Sequence, residues 1–299
     1  MRLQNTVIEW PTLLVFLVTY ATLAIATTSA YALSPSLGII LATLAVAQFS
    51  SLQHEVLHGH PFANQTLNDA LVFPGITLFV PYLRFRDTHL AHHNDPILTD
   101  PYDDPEANYL DPAVWHALPS RTQRMLRINN TLLGRIVFGP AISTWSFGKA
   151  DLKAIRAGDT SIRNAWLLHG VGVALVAAWL LTMATMPLWA YVIAAYLGYG
   201  LLKIRTFLEH RAHITARART VIVEDRGPLA LLFLNNNLHV VHHMHPTTAW
   251  YKLPALYAAN KDHYQRRNDA YLYRNYAEIF RKHFLRAKDP VPHPLWPFK

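Results

Sequence analysis

The chain has no cysteine and few charged residues. The absence of cysteine excludes disulfides, cysteine-ligated zinc and an iron–sulfur cluster held by the chain itself, so electrons for any redox reaction must come from another molecule. Only 15% of the residues are charged, whereas 52% are hydrophobic and 12% are aromatic. This composition is too apolar for an average soluble domain and indicates a membrane protein.

Basic residues are also missing from one long stretch. The formal net charge is +8, yet no Lys or Arg lies between Arg2 and Arg84. Cytoplasmic segments next to membrane helices are enriched in Lys and Arg, so this segregation reports how the chain is oriented in a membrane. Two proline-marked turns, near Pro35 and Pro187, also hold no basic residue.

Apolar runs of membrane-spanning length predict four transmembrane helices, at residues 12–33, 36–52, 165–186 and 188–208. They form two hairpins that turn at the two prolines. The basic residues are concentrated in the remaining segments, about 54–163 and 209–299, so we expect a cytoplasmic cap and both termini in the cytoplasm. The prediction is an all-α integral membrane protein with one domain over 1–299.

Two further apolar stretches are interrupted by proline and glycine. Residues 67–82 contain Pro74, Gly75 and Pro81, and residues 132–147 contain Gly134, Arg135 and Pro140. Because proline removes a backbone donor and breaks helices, we expect both stretches to lie at the membrane interface rather than to span it, with 67–82 possible also as a re-entrant segment.

Histidine, by contrast, is abundant and patterned. The chain has 17 histidines, and eight of them form three clusters: His54 and His58; His89, His92 and His93; His239, His242 and His243. Chance would give roughly 0.05 His-x-x-His-His patterns at this frequency, so two copies favour a function over scattered surface histidines or a pH-sensitive patch. Residues three and four apart share one face of a helix, so each cluster presents its imidazoles together.

Eight convergent imidazoles are too many for one metal ion. A tetrahedral ion takes about four protein ligands and an octahedral ion at most about six, so the clusters predict a dinuclear site. Neutral imidazole suits iron, and a shell with few carboxylates does not favour magnesium or calcium. His60 and His245 adjoin the clusters but are out of their spacing, and we expect them to be supporting or surface residues.

An acidic, proline-rich run follows the second cluster. Residues 99–106 include Asp100, Asp103, Asp104 and Glu106. Carboxylates often orient metal-bound imidazoles, but an Asp/Pro-rich stretch is also typical of a solvated turn, and both interpretations stay open.

These motifs resemble the membrane-bound fatty acid desaturase superfamily, which includes desaturases, alkane hydroxylases, carotenoid ketolases and fatty acid decarboxylases. The similar segments are His54-Glu55-x-x-His58-Gly59, His89-x-x-His92-His93 and His239-x-x-His242-His243-x-x-Pro246. Residues 98–101 and 250–254 are similar to bacterial members known simply as desaturases, which implies a bacterial-type inner membrane. The resemblance covers most of the chain.

The resemblance implies a cytoplasmic non-haem centre of two Fe ions that uses O2 to remove hydrogen from a lipid acyl chain, most closely as a fatty acid desaturase. A hydroxylase, ketolase or decarboxylase of the same superfamily is the alternative. The partners implied are a membrane lipid substrate and an external ferredoxin- or rubredoxin-like electron donor, and no nucleic acid. A basic cap would suit an acidic donor.

A ninth ligand is expected just after the fourth span. Residues 206–210 resemble the Asn-Tyr-Ile-Glu-His element of alkane hydroxylases, with Thr206 in place of Asn, which favours His210. His213 is the competing candidate and is better suited to a helix-terminal role facing the helix dipole.

A divalent metal transporter is a remote alternative from another functional class. Its site should lie inside the bilayer, yet the four predicted spans hold no Asp or Glu, and His169 is their one ionisable group before Lys203. We expect His169 to be an interfacial histidine.

Overall fold

The computed structural model describes residues 8–297 and is mostly helical. The predicted cytoplasmic placement of both termini concerns residues outside this range at each end. The chain divides into two compact units: a first unit formed by residues up to Arg86 together with Ile142–Tyr199, and a second unit formed by Asp87–Ala141 and residues from Gly200 onward.

Among the described residues of the first unit, three helices are long and apolar enough to cross a membrane. The first is continuous over Trp10–Leu33 and consists of α1 (Trp10–Ile25), a π-helical turn (Ala26–Ala30) and α2 (Tyr31–Leu33). The others are α3 (Pro35–Leu57) and α9 (Thr160–Thr182). Many of their large apolar side chains are exposed, Leu17 at 67% for example, as lipid-facing residues are.

Local sequence explains where these helices begin. The Ser34 hydroxyl accepts a hydrogen bond from the Leu37 amide, and Pro35 occupies the first turn, so the chain reverses and restarts as α3. The carboxylate of Asp159 caps α9 in the same way, by accepting from the Ile162 amide. α9 therefore begins five residues earlier than predicted, and it ends at Thr182 rather than at 186.

The fourth predicted span corresponds to α10 (Leu188–Thr206). This helix is not among the three that qualify by length and composition. Three tyrosines, two glycines and the charges of Lys203 and Arg205 make it less apolar than the others. A fourth span stays a prediction.

The predicted break in 132–147 is wrong. α8 runs unbroken over Leu132–Arg156, with Pro140 inside it. Proline cannot donate to the carbonyl of Ile136 four residues earlier. The Ile136 carbonyl faces Gly200 of α10, which has no side chain. A Cβ atom at position 200 would lie 2.7 Å from the Ile136 oxygen.

The first unit also contains the short helix α4 (Gln65–Leu71), and α5 (Tyr82–His92) crosses the boundary between the units at Arg86. The shorter helices of the second unit are α6 (Pro112–Ala117), α7 (Ser120–Asn129), α11 (Pro228–Leu232), α12 (His239–Met244), α13 (Leu253–Ala259), α14 (Lys261–Arg267) and α15 (Tyr276–His283). Single 3-10 turns lie at Asp95–Ile97, Ala216–Ala218 and Trp250–Lys252. Strands β1 (Ile222–Val223) and β2 (Leu272–Tyr273) pair in parallel.

The described part of the second unit contains two apolar clusters in its core. One surrounds Phe207, Leu208 and Phe233, and the other surrounds Ile222 and Val241, all nearly fully buried. Val240 and Val241 lie between His239 and His242 on α12 and pack into the second cluster, and this packing fixes the rotation of the helix. The packing thereby determines where the α12 imidazoles lie.

Candidate metal centre

Four histidines of the second unit form one group. They come from α5, from α12 and from the segment after α10: His92, His210, His239 and His243. One ring nitrogen from each lies within 4.8 Å of the others. Nε2 of His210 is 2.8 Å from Nε2 of His92 and 3.2 Å from Nε2 of His239. These separations suit ligands arranged around a single ion.

Three more histidines of the same unit form a second group: His89, His93 and His242. Nε2 of His93 is 3.0 Å from Nε2 of His89 and 3.2 Å from Nε2 of His242. The two groups adjoin, since the His93 and His243 rings stack at a centroid distance of 4.3 Å. The consecutive histidines His92 and His93 belong to different groups, and so do His242 and His243. Successive side chains on a helix point about 100° apart, so neighbours in sequence can face different ions.

The first unit holds the remaining pair. His54 lies in the last turn of α3, and His58 is the residue at which α3 ends. Their spacing of four residues brings the ring centroids to 4.9 Å, and both side chains are buried. The structure therefore confirms that all three clusters lie on or at the end of helices.

Carboxylates contact two of the imidazoles at Nδ1, the ring nitrogen that faces away from the group. Nδ1 of His92 lies 2.7 Å from Oδ1 of Asp104, and Nδ1 of His89 lies 3.0 Å from Oε1 of Glu106. Because a carboxylate only accepts, each Nδ1 donates its hydrogen, and Nε2 is left to face the group. Asn236, three residues before His239, places its amide oxygen 3.0 Å from that Nδ1.

The loop that carries these carboxylates is held in place by its own backbone. Asp104 is buried and accepts hydrogen bonds from the amides of Thr99 and Glu106. Thr99 adopts a positive φ of 69°, a conformation that costs free energy and persists here within this network. Of the two interpretations of the acidic run, the structure favours the one in which it supports the histidines.

Burial keeps most of the first group neutral. It lowers the pKa of His243 to about 4, although the Asp95 carboxylate opposes the shift. Burial, followed by the charges of neighbouring histidines, also holds the pKa values of His210 and His239 well below the usual range. Neutral imidazole is the form that binds a metal ion.

His92 differs from its neighbours. Burial alone would lower its pKa, but the charge of Glu106 and the hydrogen bond to Asp104 outweigh burial and raise the pKa to about 9. The carboxylates thus create a field that favours positive charge at this ring. A metal cation would take the place of the proton.

The nitrogen atoms fit a metal better than they fit one another. A neutral imidazole that donates through Nδ1 presents a lone pair at Nε2, and lone pairs facing each other at 2.8–3.2 Å repel unless a cation or proton lies between them. Nε2 of His243 is buried and has no hydrogen-bond partner among residues 8–297. A buried acceptor without a partner costs about 1–3 kcal/mol, which a bound cation would remove.

His210 reaches the group from an irregular segment. α10 ends at Thr206, two residues before the predicted end of the fourth span, and His210 pairs with Thr220 in an isolated antiparallel bridge. His213 lies elsewhere, with Nε2 3.3 Å from Oδ2 of Asp269. The structure brings His210 into the group and leaves His213 out of it.

Three other histidines have structural partners. Nδ1 of His60 lies 2.9 Å from Oε2 of Glu9. Nε2 of His245 lies 3.1 Å from the Tyr264 hydroxyl oxygen, and Nε2 of His169 lies 2.9 Å from the Leu78 carbonyl oxygen. None of these three histidines belongs to the two groups or to the α3 pair.

Sequence reasoning missed several residues that contact the groups. Glu209 forms an ion pair with Arg205, four residues earlier, and lies 3.9 Å from His239. Asp95 lies 3.7 Å from His243 and accepts from Arg267, far away in the chain. The i, i+4 pair could have been recognised from its spacing, whereas nothing local marks the Asp95–Arg267 pair.

Comparison with known proteins agrees with this geometry. The family model described as fatty acid desaturase matches residues 26–275, which includes every histidine named in the two groups and in the α3 pair. No curated protein matches the chain. Since the family model covers well over half of the sequence, the chain belongs to the membrane fatty acid desaturase superfamily.

Proposed function

We propose that the protein is an O2-dependent di-iron oxidoreductase that introduces a carbon–carbon double bond into a lipid acyl chain. The observation that carries the proposal is the pair of adjoining histidine groups in the second unit. The family consists of lipid-modifying oxidoreductases, and the chain has helices suited to a membrane. The specific metal and the specific reaction are the parts that we propose.

The groups suggest how the ligands are shared. His92, His210, His239 and His243 would hold one iron ion; His89, His93 and His242 would hold the other. His54 and His58 complete the set in our proposal, because a three-histidine group is short of ligands and these two belong to the first motif of the family. When bound, the two ions would supply the O2-derived oxidant that attacks an unactivated C–H bond.

The chain's residues supply orientation and charge balance. Asp104 and Glu106 hold the His92 and His89 rings so that Nε2 faces inward, and His239 is oriented by Asn236. The burial of the groups limits access of water to the reacting atoms. Transfer of an acyl chain from water into the bilayer is favourable by about 0.8 kcal/mol for each buried CH2. The lipid substrate is therefore concentrated in the membrane that holds the enzyme.

Desaturation requires partners beyond the lipid. Two hydrogen atoms leave the acyl chain, O2 is reduced to two waters, and two further electrons and two protons balance the reaction. The chain has no cysteine and holds no iron–sulfur cluster of its own. We therefore include a ferredoxin- or rubredoxin-like donor in the proposal.

Lipid mass spectrometry tests the reaction. Expression in a bacterial host should yield lipids lighter by two hydrogens per acyl chain, and a His242→Ala variant should yield none. A gain of oxygen would reassign the protein as a hydroxylase or ketolase, and a loss of carbon dioxide as a decarboxylase. An unchanged lipid profile with iron-loaded protein would contradict the proposal.

The proposed topology has four spans, α10 being the fourth, with the site and both termini in the cytoplasm. It follows from the basic residues, which avoid the turns at Pro35 and Pro187. Ser36 and Thr185 are exposed next to these turns, so cysteines placed there report sidedness in a chain without other cysteines. Both should react with an impermeant maleimide only from outside the cytoplasm. Reaction from the cytoplasmic side at either position would refute the topology.

A further inference from the structure

One exposed region of the second unit combines positive charge with apolar side chains. No Asp or Glu occurs between Asp111 and Asp151, nor between Glu278 and Asp289. The first of these acid-free segments includes α7, and the second includes the end of α15 and the chain that follows it. The positive charge of these segments is not balanced by acidic residues within them, and a basic surface attracts acidic partners.

The two segments meet in the structure. The Leu133 amide donates to the Phe284 carbonyl, and the Lys288 amide donates to the Asn130 carbonyl. The Asn130 side chain in turn donates to the carbonyl of Asp289. The end of α7 and residues 284–289 are therefore fixed side by side in one unit.

The exposed side chains on these two segments are apolar or basic. Ile128 on α7 is 46% exposed and Leu285 is 72% exposed, and Arg124 and Arg127 on α7 and Arg286 after α15 are exposed as well. Arginine is enriched at protein interfaces, where complementary charge steers the partner toward the surface and buried apolar area stabilises the contact. We call these five residues the α7 patch.

A short route leads from the patch to the metal centre. Lys288 follows Arg286 by two residues, and its Nζ donates a hydrogen bond to the backbone carbonyl of His210. His210 also lines a cavity together with Asn130, Tyr109, Lys288 and Asp289. The patch is thus connected to a proposed ligand by covalent bonds and one hydrogen bond.

We propose that the α7 patch is the docking surface for an acidic iron–sulfur electron carrier, which delivers electrons toward His210 by way of the Lys288 segment. The inference rests on the proposed function, because only a redox enzyme needs the carrier. In each delivery one carrier is oxidised by one electron, and two deliveries supply the two electrons that desaturation requires. An anionic membrane surface is the other partner that a basic, apolar patch could contact, but the connection to His210 favours the carrier.

Binding of a carrier tests the docking surface independently of catalysis. The full chain is placed in nanodiscs of phosphatidylcholine, and its affinity for a plant-type ferredoxin and for a rubredoxin is measured at low and at 0.15 M ionic strength. We expect salt-sensitive binding of at least one carrier. The double substitution Arg124→Glu and Arg286→Glu should weaken it by about tenfold or more, because two attractive charges become repulsive.

A matched control separates this surface from general charge. Arg226 is also exposed in the second unit but lies between β1 and α11, outside the patch. Arg226→Glu should bind the carrier as the parent chain does, whereas Arg286→Glu alone, which changes the formal charge by the same amount, should weaken binding. Equal weakening by Arg226→Glu and Arg286→Glu, no change with the double substitution, or no carrier binding at all would overturn the proposal. A double substitution that lowers affinity for phosphatidylglycerol vesicles alone would instead assign the patch to the membrane.

Catalysis distinguishes this inference from the proposed function. Reduced methyl viologen supplies electrons without docking, so the double variant should retain the parent rate of lipid oxidation with viologen and show a KM for the carrier raised by about tenfold. If the parent chain oxidises no lipid with either donor, the proposed function fails, while the binding result still decides whether the patch docks a carrier.

Discussion

Replacing His210 by alanine should remove at least one of two bound iron ions per chain and lower lipid oxidation by more than about 100-fold. Nε2 of His210 lies 2.8 Å from Nε2 of His92 and 3.2 Å from Nε2 of His239. The substitution therefore removes the ligand nitrogen that lies close to two others of the same group. The hydrogen bond from Lys288 ends on the His210 backbone and can persist in the variant. Iron is measured by elemental analysis after reconstitution with ferrous iron.

His213→Ala is the matched control for this change. His213 is three residues away but faces Asp269, and its imidazole contacts no member of either group among the described residues. The control should keep most of its iron and most of its activity. If His213→Ala loses iron and His210→Ala retains it, the ninth ligand has been assigned to the wrong residue.

Asp104→Asn should weaken iron binding by about 10- to 100-fold, the usual effect of removing a carboxylate behind a metal-bound imidazole. One oxygen of Asp104 accepts from His92 and the other from the Thr99 amide. Asparagine has a single oxygen acceptor, so one of these two buried donors loses its partner at a cost of about 1–3 kcal/mol in the free energy of unfolding. Chelator competition measures the affinity, and thermal unfolding measures the stability.

The neighbouring residue provides the comparison. Asp103 is exposed, whereas Asp104 is buried, and the substitution Asp103→Asn changes the formal charge by the same amount. It should leave iron affinity and stability near those of the parent chain. Equal affinity in the two variants would mean that Asp104 does not orient His92 in the metal-bound protein.

The sequence predicted the parts of this molecule that depend on local spacing. His89 and His93, or His239 and His243, are neighbours because a helix turns once every 3.6 residues, and that relation needs no tertiary information. Long apolar runs likewise marked three helices suited to a membrane, because bilayer thickness sets their length.

Other features depend on contacts between distant residues, and the sequence did not reveal them. α8 continues through Pro140, and Gly200 of another helix lies against the carbonyl that proline leaves without a donor. The orientation of the loop at 99–106 depends on the hydrogen bond that the Thr99 amide donates to Asp104. Lys288 reaches His210 across 78 residues of sequence, and no periodicity marks such a pair.

The ninth histidine shows both situations at once. Motif similarity selected His210 over His213, and the structure places His210 in the group. The expected helix, however, ends at Thr206, and a bridge to Thr220 holds His210 instead. The residue could be chosen from the sequence, but its backbone conformation could not, because the bridge partner lies ten residues farther along.

The metal content of protein isolated from its native host tests the central claim most directly. The two adjoining histidine groups predict about two iron ions per chain by elemental analysis. Native-host protein is required because zinc binds such sites more tightly than ferrous iron and can replace it on overexpression. Close to two iron ions per chain is the result we expect; stoichiometric zinc without iron in the native-host protein would contradict the redox function.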